Sequence, residues 1–154
     1  MVQTVTRLVT GLSLFLLAGC TSTLYTHPLR VSEPSEPSAE LIIFRENAVM
    51  GSAWAIPVYL MNEKLARLRK GTYARFAIKP GNYDLRVGEE STWTGLTPIR
   101  RSTRSMNFVA GGKYFILLTA RRDLLAFGPD QYFFPIPITE DRAKILMKEY
   151  SLVQ

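Results

Sequence analysis

Thiol and imidazole side chains are scarce in this 154-residue chain, and their positions limit the chemistry it can do. Cys20 is the only cysteine and His27 the only histidine. Both precede residue 40, so neither a Ser-His-Asp nor a Cys-His arrangement can form within 40–154. That stretch also lacks the His and Cys ligands that zinc and similar metals require. No glycine-rich loop followed by Lys-Ser/Thr is present to cradle a phosphate. The expectation is a protein without catalytic residues, cofactor or metal. The carboxylates Glu89, Glu90, Asp123 and Asp130 leave a paired-acid glycan hydrolase as an alternative. All four fall in predicted loops, where carboxylates are ordinarily just solvated. The basic residues form three clusters, Arg67-Arg69-Lys70, Arg100-Arg101-Arg104 and Arg121-Arg122. At strand ends such clusters commonly solvate an edge and oppose edge pairing. The functional reading is a basic face, with Arg100, Arg101 and Arg104 as its anion contacts. In a regular strand Arg100 and Arg104 would share one side and Arg101 would take the other.

Cys20 has the most specific surroundings of any residue in the chain. Arg7 precedes an apolar run from Leu8 to Leu17, and Ala18-Gly19 leads directly into the cysteine. Leu17-Ala18-Gly19-Cys20 resembles the lipobox of a bacterial lipoprotein signal peptide. The resemblance implies that the thiol receives a diacylglyceryl group, that cleavage removes residues 1–19, and that the new amino terminus is acylated. A membrane-spanning helix would need roughly 20 apolar residues. This run is interrupted by Gly19 and then by Thr21, Ser22 and Thr23. Residues 1–19 therefore read as a signal and stay out of the fold. Thr21 rather than Asp follows Cys20. Under enterobacterial-type sorting this implies the outer membrane, with the protein facing the periplasm.

The chain carries 19 Lys+Arg against 13 Asp+Glu, a formal charge of +6, and loss of Arg7 with the signal leaves +5. Basic surface favours anionic partners. In the cell envelope these are glycans, lipid headgroups or an envelope protein, and nucleic acid is excluded by compartment. With its one thiol alkylated, the mature chain has no disulfide to staple it. Hydrophobic residues make up 47% of the sequence, enough for a core to hold the domain unaided.

Residues 20–39 read as the lipidated cysteine and a tether. Pro28, Pro34 and Pro37 alternate with Ser32, Ser35 and Ser38, a composition that favours an extended, coreless segment. From Thr21 to Ala39 it could reach roughly 60 Å. Residues 40–154 then show short apolar runs between turn signals. Leu41 to Phe44, Ile56 to Leu60 and Lys64 to Leu68 are strand-like, with Asn62-Glu63 as a turn. Pro57 places its strand at an edge or beside a bulge. Thr72, Ala74, Phe76 and Ile78 alternate with polar neighbours, and Tyr83, Leu85 and Val87 do the same beyond Pro80-Gly81. That pattern predicts a hairpin whose even, then odd, positions face one core. Tyr73 and Tyr83 beside the turns are expected to cover the core's edge. Glu89 to Pro98 is a loop around Trp93. Arg101 to Ala110 is a strand with Met106 and Phe108 on one face. Tyr114 to Leu118, an unbroken apolar run, predicts a central strand covered on both faces. Tyr132 to Ile138 is a strand interrupted by Pro135 and Pro137. Thr139 then caps a short C-terminal helix carrying Ala143, Leu146, Met147 and Tyr150 at helical spacing. The fold class expected is mainly β: a single antiparallel β-sandwich of about seven strands with a short C-terminal helix.

The segment Val58 to Leu68, followed by Lys70-Gly71-Thr72-Tyr73, Lys79-Pro80-Gly81-Asn82-Tyr83 and Gly112-Lys113-Tyr114-Phe115, resembles the DUF2846 family of small bacterial lipoproteins. Arg45-Glu46 departs from the Arg-Pro expected there. The resemblance spans about residues 40–150 and implies a transthyretin-like or carboxypeptidase-regulatory-like sandwich. It implies no activity, because the family has no established biochemical function. The expected role is a membrane-anchored, non-catalytic binding or scaffolding module. An alternative is a subunit of an envelope machine, since type VI secretion lipoproteins pair a lipobox with a similar sandwich.

Overall fold

A computed structural model of the protein describes residues 37–48, 55–88, 99–122 and 131–153. Cys20, His27 and the loop around Trp93 lie outside these residues. The described chain is the expected β-sandwich with a C-terminal helix. One sheet has six strands in the order β10-β4-β1-β8-β9-β6, and the other has four in the order β3-β2-β5-β7. The strands of the larger sheet are β1 (Ala39–Arg45), β4 (Thr72–Ile78), β6 (Ile99–Arg100), β8 (Lys113–Arg122), β9 (Gln131–Pro137) and β10 (Ser151–Leu152). Those of the smaller sheet are β2 (Ile56–Leu60), β3 (Glu63–Leu68), β5 (Gly81–Val87) and β7 (Ser102–Phe108). Eight strands have five residues or more, and β6 and β10 add two residues each. Two details of the expected sandwich are corrected: the strands number more than seven, and the larger sheet is mixed, not antiparallel, because β1 runs parallel to β8, β6 to β9 and β10 to β4.

Alternation puts the expected residues between the sheets. Ala74, Ile78, Leu85, Val87 and Phe108 are buried in one core with Leu41, Ile43, Ile116 and Leu118, and Phe76 and Met106 pack against it. Tyr83 leans on Phe108 at 5.9 Å between ring centroids. The opposite side of β1 and β8 is also covered. Ile42, Phe44 and Phe115 pack under Ala143 and Leu146 of helix α1 (Glu140–Glu149). This second layer explains the unbroken apolar run of β8. Tyr73 stacks on Phe44 there at 5.3 Å. Thr139 caps the helix by accepting from the Arg142 N–H at 3.4 Å, with Glu140 and Asp141 in the first turn.

The strand pairing corrects one reading of the sequence. Pro80-Gly81 is not a hairpin turn: β4 belongs to the six-stranded sheet and β5 to the four-stranded one. The turn is a corner between layers. Gly81 takes φ +152, and a Cβ there would meet the Tyr83 hydroxyl at 3.0 Å. Consecutive strands pair with each other only at β2–β3 and β8–β9. In the first of these the turn is Met61-Asn62, one residue earlier than expected, with Met61 at φ 54. Pro57 lies in a central strand beside a bulge at Val58/Tyr59, not at an edge. Its carbonyl accepts from the Gly88 N–H at 3.0 Å, at the end of the β2–β5 ladder, so the missing donor interrupts no pairing.

Pro135 and Pro137 use the same economy at the open side of β9. Ile138 donates to the Phe115 carbonyl at 2.9 Å, so the even positions of β9 address β8. The odd positions face away, as Phe133 shows by accepting from the Ser102 hydroxyl of β7. Pro135 and Pro137 therefore lack N–H groups on the side that β6 does not cover, since β6 pairs only with Gln131 and Tyr132.

Arg45 is the largest fully buried side chain, 1% exposed, and follows Leu41 and Ile43 on the inner side of β1. Its Nη1 donates to the Leu68 carbonyl of β3 at 2.8 Å, and its guanidinium lies 5.0 Å from the Phe133 ring centroid. Burial lowers its pKa to about 10, so it is charged at neutral pH.

Two outcomes follow from these contacts. Arg45→Ala removes the side chain that fills this junction and should cost about 2–5 kcal/mol in urea unfolding. Arg45→Met keeps most of the aliphatic volume and should cost clearly less. Equal losses would show that charge, not packing, holds the site. The double variant Pro135→Thr, Pro137→Thr restores two edge donors and should self-associate more than the parent chain in sedimentation velocity. An unchanged profile at high concentration would show that the β7 contact alone protects this edge.

Candidate functional site

The two sheets run with their ends in common. The chain enters at Ser38, whose carbonyl accepts from the Gly111 N–H at 2.7 Å. Ile78, Gly81, Phe108, Lys113 and Pro137 share that near end through the registers of β1, β4, β5, β7, β8 and β9. At the opposite, far end lie Arg45, Leu68, Thr72, Val87, Ser102, Arg121 and Gln131. All three basic clusters belong to strand ends or turns at the far end or beside it.

Two of the clusters meet in one groove. At the side of the sandwich β7 lies against β9, joined by the Ser102 hydroxyl on the Phe133 carbonyl. The groove along this seam has a volume of about 520 Å³ and includes Arg101, Arg104, Arg121, Tyr132, Phe134 and Ile136 in its lining. Arg121 and Tyr132 are opposite each other across the β8–β9 ladder, and Thr119 is opposite Phe134. The Tyr132 and Phe134 rings stack at 6.0 Å with an interplanar angle of 17°, and Phe134 is 38% exposed. None of the described residues that line the groove is acidic.

The expected split between Arg101 and Arg104 does not occur, and the reason is topological. Arg100 ends β6 in the larger sheet, while Ser102 begins β7 in the smaller one. The chain changes layers at Arg101, so the simple alternation stops there. Arg104 is opposite Leu85, on the inward side of β7, yet it is exposed. β7 is the edge strand of its sheet, and at this height the sandwich opens sideways into the groove. The Arg100 side chain lies outside the described residues; its backbone pairs with Tyr132. Arg121, assigned by sequence to a separate cluster, joins the site through β8. Tyr132, Phe134 and Ile136 were not singled out from the sequence. Their alternation with the prolines in a strand was the available signal. Arg67, Arg69 and Lys70 are exposed on β3 and its following turn, outside this groove.

A second depression, about 450 Å³, lies on the outer face of the smaller sheet among Met61, Asn82, Asp84, Ser105 and Asn107. Asp84 accepts from the Ser105 hydroxyl at 2.6 Å, so its main charged group is already engaged. The carboxylates Glu89, Glu90, Asp123 and Asp130 lie outside the described residues. Among the described residues no three His, Cys, Asp or Glu side chains converge as metal ligands. No helix among them is long and apolar enough to cross a membrane. The groove between β7 and β9 has the chemistry to hold an anion beside an apolar surface. No protein-family model matches the chain, and no curated protein sequence matches it.

If the groove concentrates positive charge, its arginines should matter more than charge elsewhere. Arg104→Ser with Arg121→Ser should lower the salt needed to elute the protein from a sulfonate column. It should change unfolding stability by less than about 0.5 kcal/mol, as exposed substitutions do. Lys64→Ser with Lys148→Ser removes the same charge from other exposed positions and should shift elution less. Equal shifts would mean that net charge alone governs retention.

Proposed function

We propose that this chain is a lipid-anchored, non-catalytic binding module of the bacterial cell envelope. Cys20 holds it to the membrane, and the groove between β7 and β9 receives an anionic envelope component. The observation that carries this reading is the separation of attachment from charge. The chain enters the sandwich at Ser38 on the near end, whereas Arg101 and Arg121 lie toward the far end. A basic surface so placed is turned away from the point of attachment. The lipobox-like residues Leu17-Ala18-Gly19-Cys20 support the anchor, and the segment up to Ser38 supplies reach. Thr21 after Cys20 supports the outer membrane, facing the periplasm. The resemblance to DUF2846 lipoproteins supports the same pairing of anchor and sandwich.

Acylation at Cys20 is the first point to test. One acyl chain anchors only marginally and two or more anchor stably, at roughly 0.8 kcal/mol per buried CH₂. Cys20→Ser should leave unprocessed precursor or release the protein into the soluble fraction. The parent chain should incorporate labelled palmitate and fractionate with the outer membrane. Normal processing and full membrane retention of Cys20→Ser would overturn the anchor.

A further inference from the structure

We infer that the groove between β7 and β9 is a subsite for an acidic glycan strand, whose sugars lie on Tyr132 and Phe134 while their anionic groups meet Arg101, Arg104 and Arg121. The inference rests on the binding role proposed above and names its ligand class.

Four features select this ligand. First, Arg104 and Arg121 line the groove together with Arg101, and none of the described lining residues is acidic, a composition that favours anions. Arginine's planar fork pairs in bidentate fashion with carboxylate and phosphate, the charged groups of acidic sugars. Second, Tyr132 and Phe134 occupy successive same-face positions of β9, and their near-parallel rings form one apolar strip. A pyranose has an apolar C–H face and a polar rim, so it can lie on such a strip with its substituents outward. The aromatic face is electron-rich and favours those C–H groups. Third, the site is a groove along a seam, not an enclosed cavity, which suits a chain passing across it. Fourth, the β9 side of the seam is poorly suited to a peptide in strand form. Addition to a sheet edge needs alternating donors and acceptors, and Pro135 and Pro137 remove two donors from this one, while Ser102 takes the Phe133 carbonyl. A ligand on this side is therefore read by side chains.

A lipid surface fits less well. The charged part of the groove, at Arg101 and Arg121, lies toward the far end, away from Ser38, where the anchored chain arrives. Its one large exposed apolar side chain is Phe134, too little to insert a face into a bilayer.

The test uses the protein as recovered from cells, whether membrane-bound or soluble, purified in neutral detergent and titrated with oligogalacturonate by isothermal calorimetry. Polyglutamate of equal charge, dextran, an oligothymidylate and phosphatidylglycerol vesicles serve as comparisons. Oligogalacturonate should bind more tightly than polyglutamate, weaken as salt rises, and exceed dextran. Arg104→Ser or Arg121→Ser should each weaken it about 10-fold, the loss of a hydrogen bond to a charged group. Phe134→Ala should weaken oligogalacturonate about 5-fold and leave polyglutamate unchanged. Thermal melts of all three variants should match the parent, which separates lost binding from lost folding. Equal binding of polyglutamate, or indifference to Phe134→Ala, would overturn the glycan assignment in favour of a generic polyanion site. Preference for oligothymidylate or for vesicles would overturn it as well. Because binding is read on purified protein, its failure leaves the Cys20 result standing, and failure of the anchor leaves the groove's ligand standing.

Discussion

A buried guanidinium joins the two sheets at the far end of β1. Arg45 leaves β1 in the larger sheet, donates to the Leu68 carbonyl in the smaller, and spreads over Phe133 of β9. Moving such a charge out of water is costly, and the downward shift of its pKa to about 10 records that cost. What it obtains is geometric. A leucine at this position could fill space but could not satisfy a main-chain carbonyl at the end of β3. The contact with Phe133 also steadies β9 from within. The outer side of β9 carries Tyr132 and Phe134, so the strand that forms the groove is backed by the guanidinium in the core.

The elements were readable because short strands with one buried side must alternate. Ala74, Ile78, Leu85 and Val87 are buried as their spacing requires, and the double-sided burial of β8 was visible in its unbroken apolar run. Pairing was less readable because the same alternation serves a hairpin and a corner between layers. Pro80-Gly81 has the composition of a tight turn, yet it passes the chain from one sheet to the other. Local residues determine that the chain reverses there. Only the competition among all strands for partners determines which neighbour each one finds, and that competition is not local. β6 and β10 escaped notice for a simpler reason, since two residues are too few to show a period.

The same limit applies to the site. Arg100, Arg101 and Arg104 stood out by number, and regular alternation placed them on different sides. The change of sheet at Arg101 breaks that regularity and gathers Arg101 and Arg104 beside Arg121, a residue remote in sequence. The aromatic half was hidden behind the prolines. Pro135 and Pro137 looked like interruptions of a strand, yet they sit at positions whose N–H would have no ladder partner. The strand therefore survives them, and Tyr132, Phe134 and Ile136 keep one common face.

The ends of the domain differ in the length of most of their connections. At the near end the chain turns within a few residues, at Pro80 and again at Gly111-Gly112, under the constraint of glycines with positive φ. At the far end the strand ends Arg45 and Ile56, Val87 and Ile99, and Arg122 and Gln131 are joined by longer stretches. Connections of this kind change at little cost to a scaffold whose strands are fixed by burial. The far end is therefore where sequence can vary without disturbing the core that Arg45 closes. Arg101 and Arg121 of the groove lie toward the same end. A sandwich held by the burial of its strands can therefore vary the connections at one end while its core stays as it is.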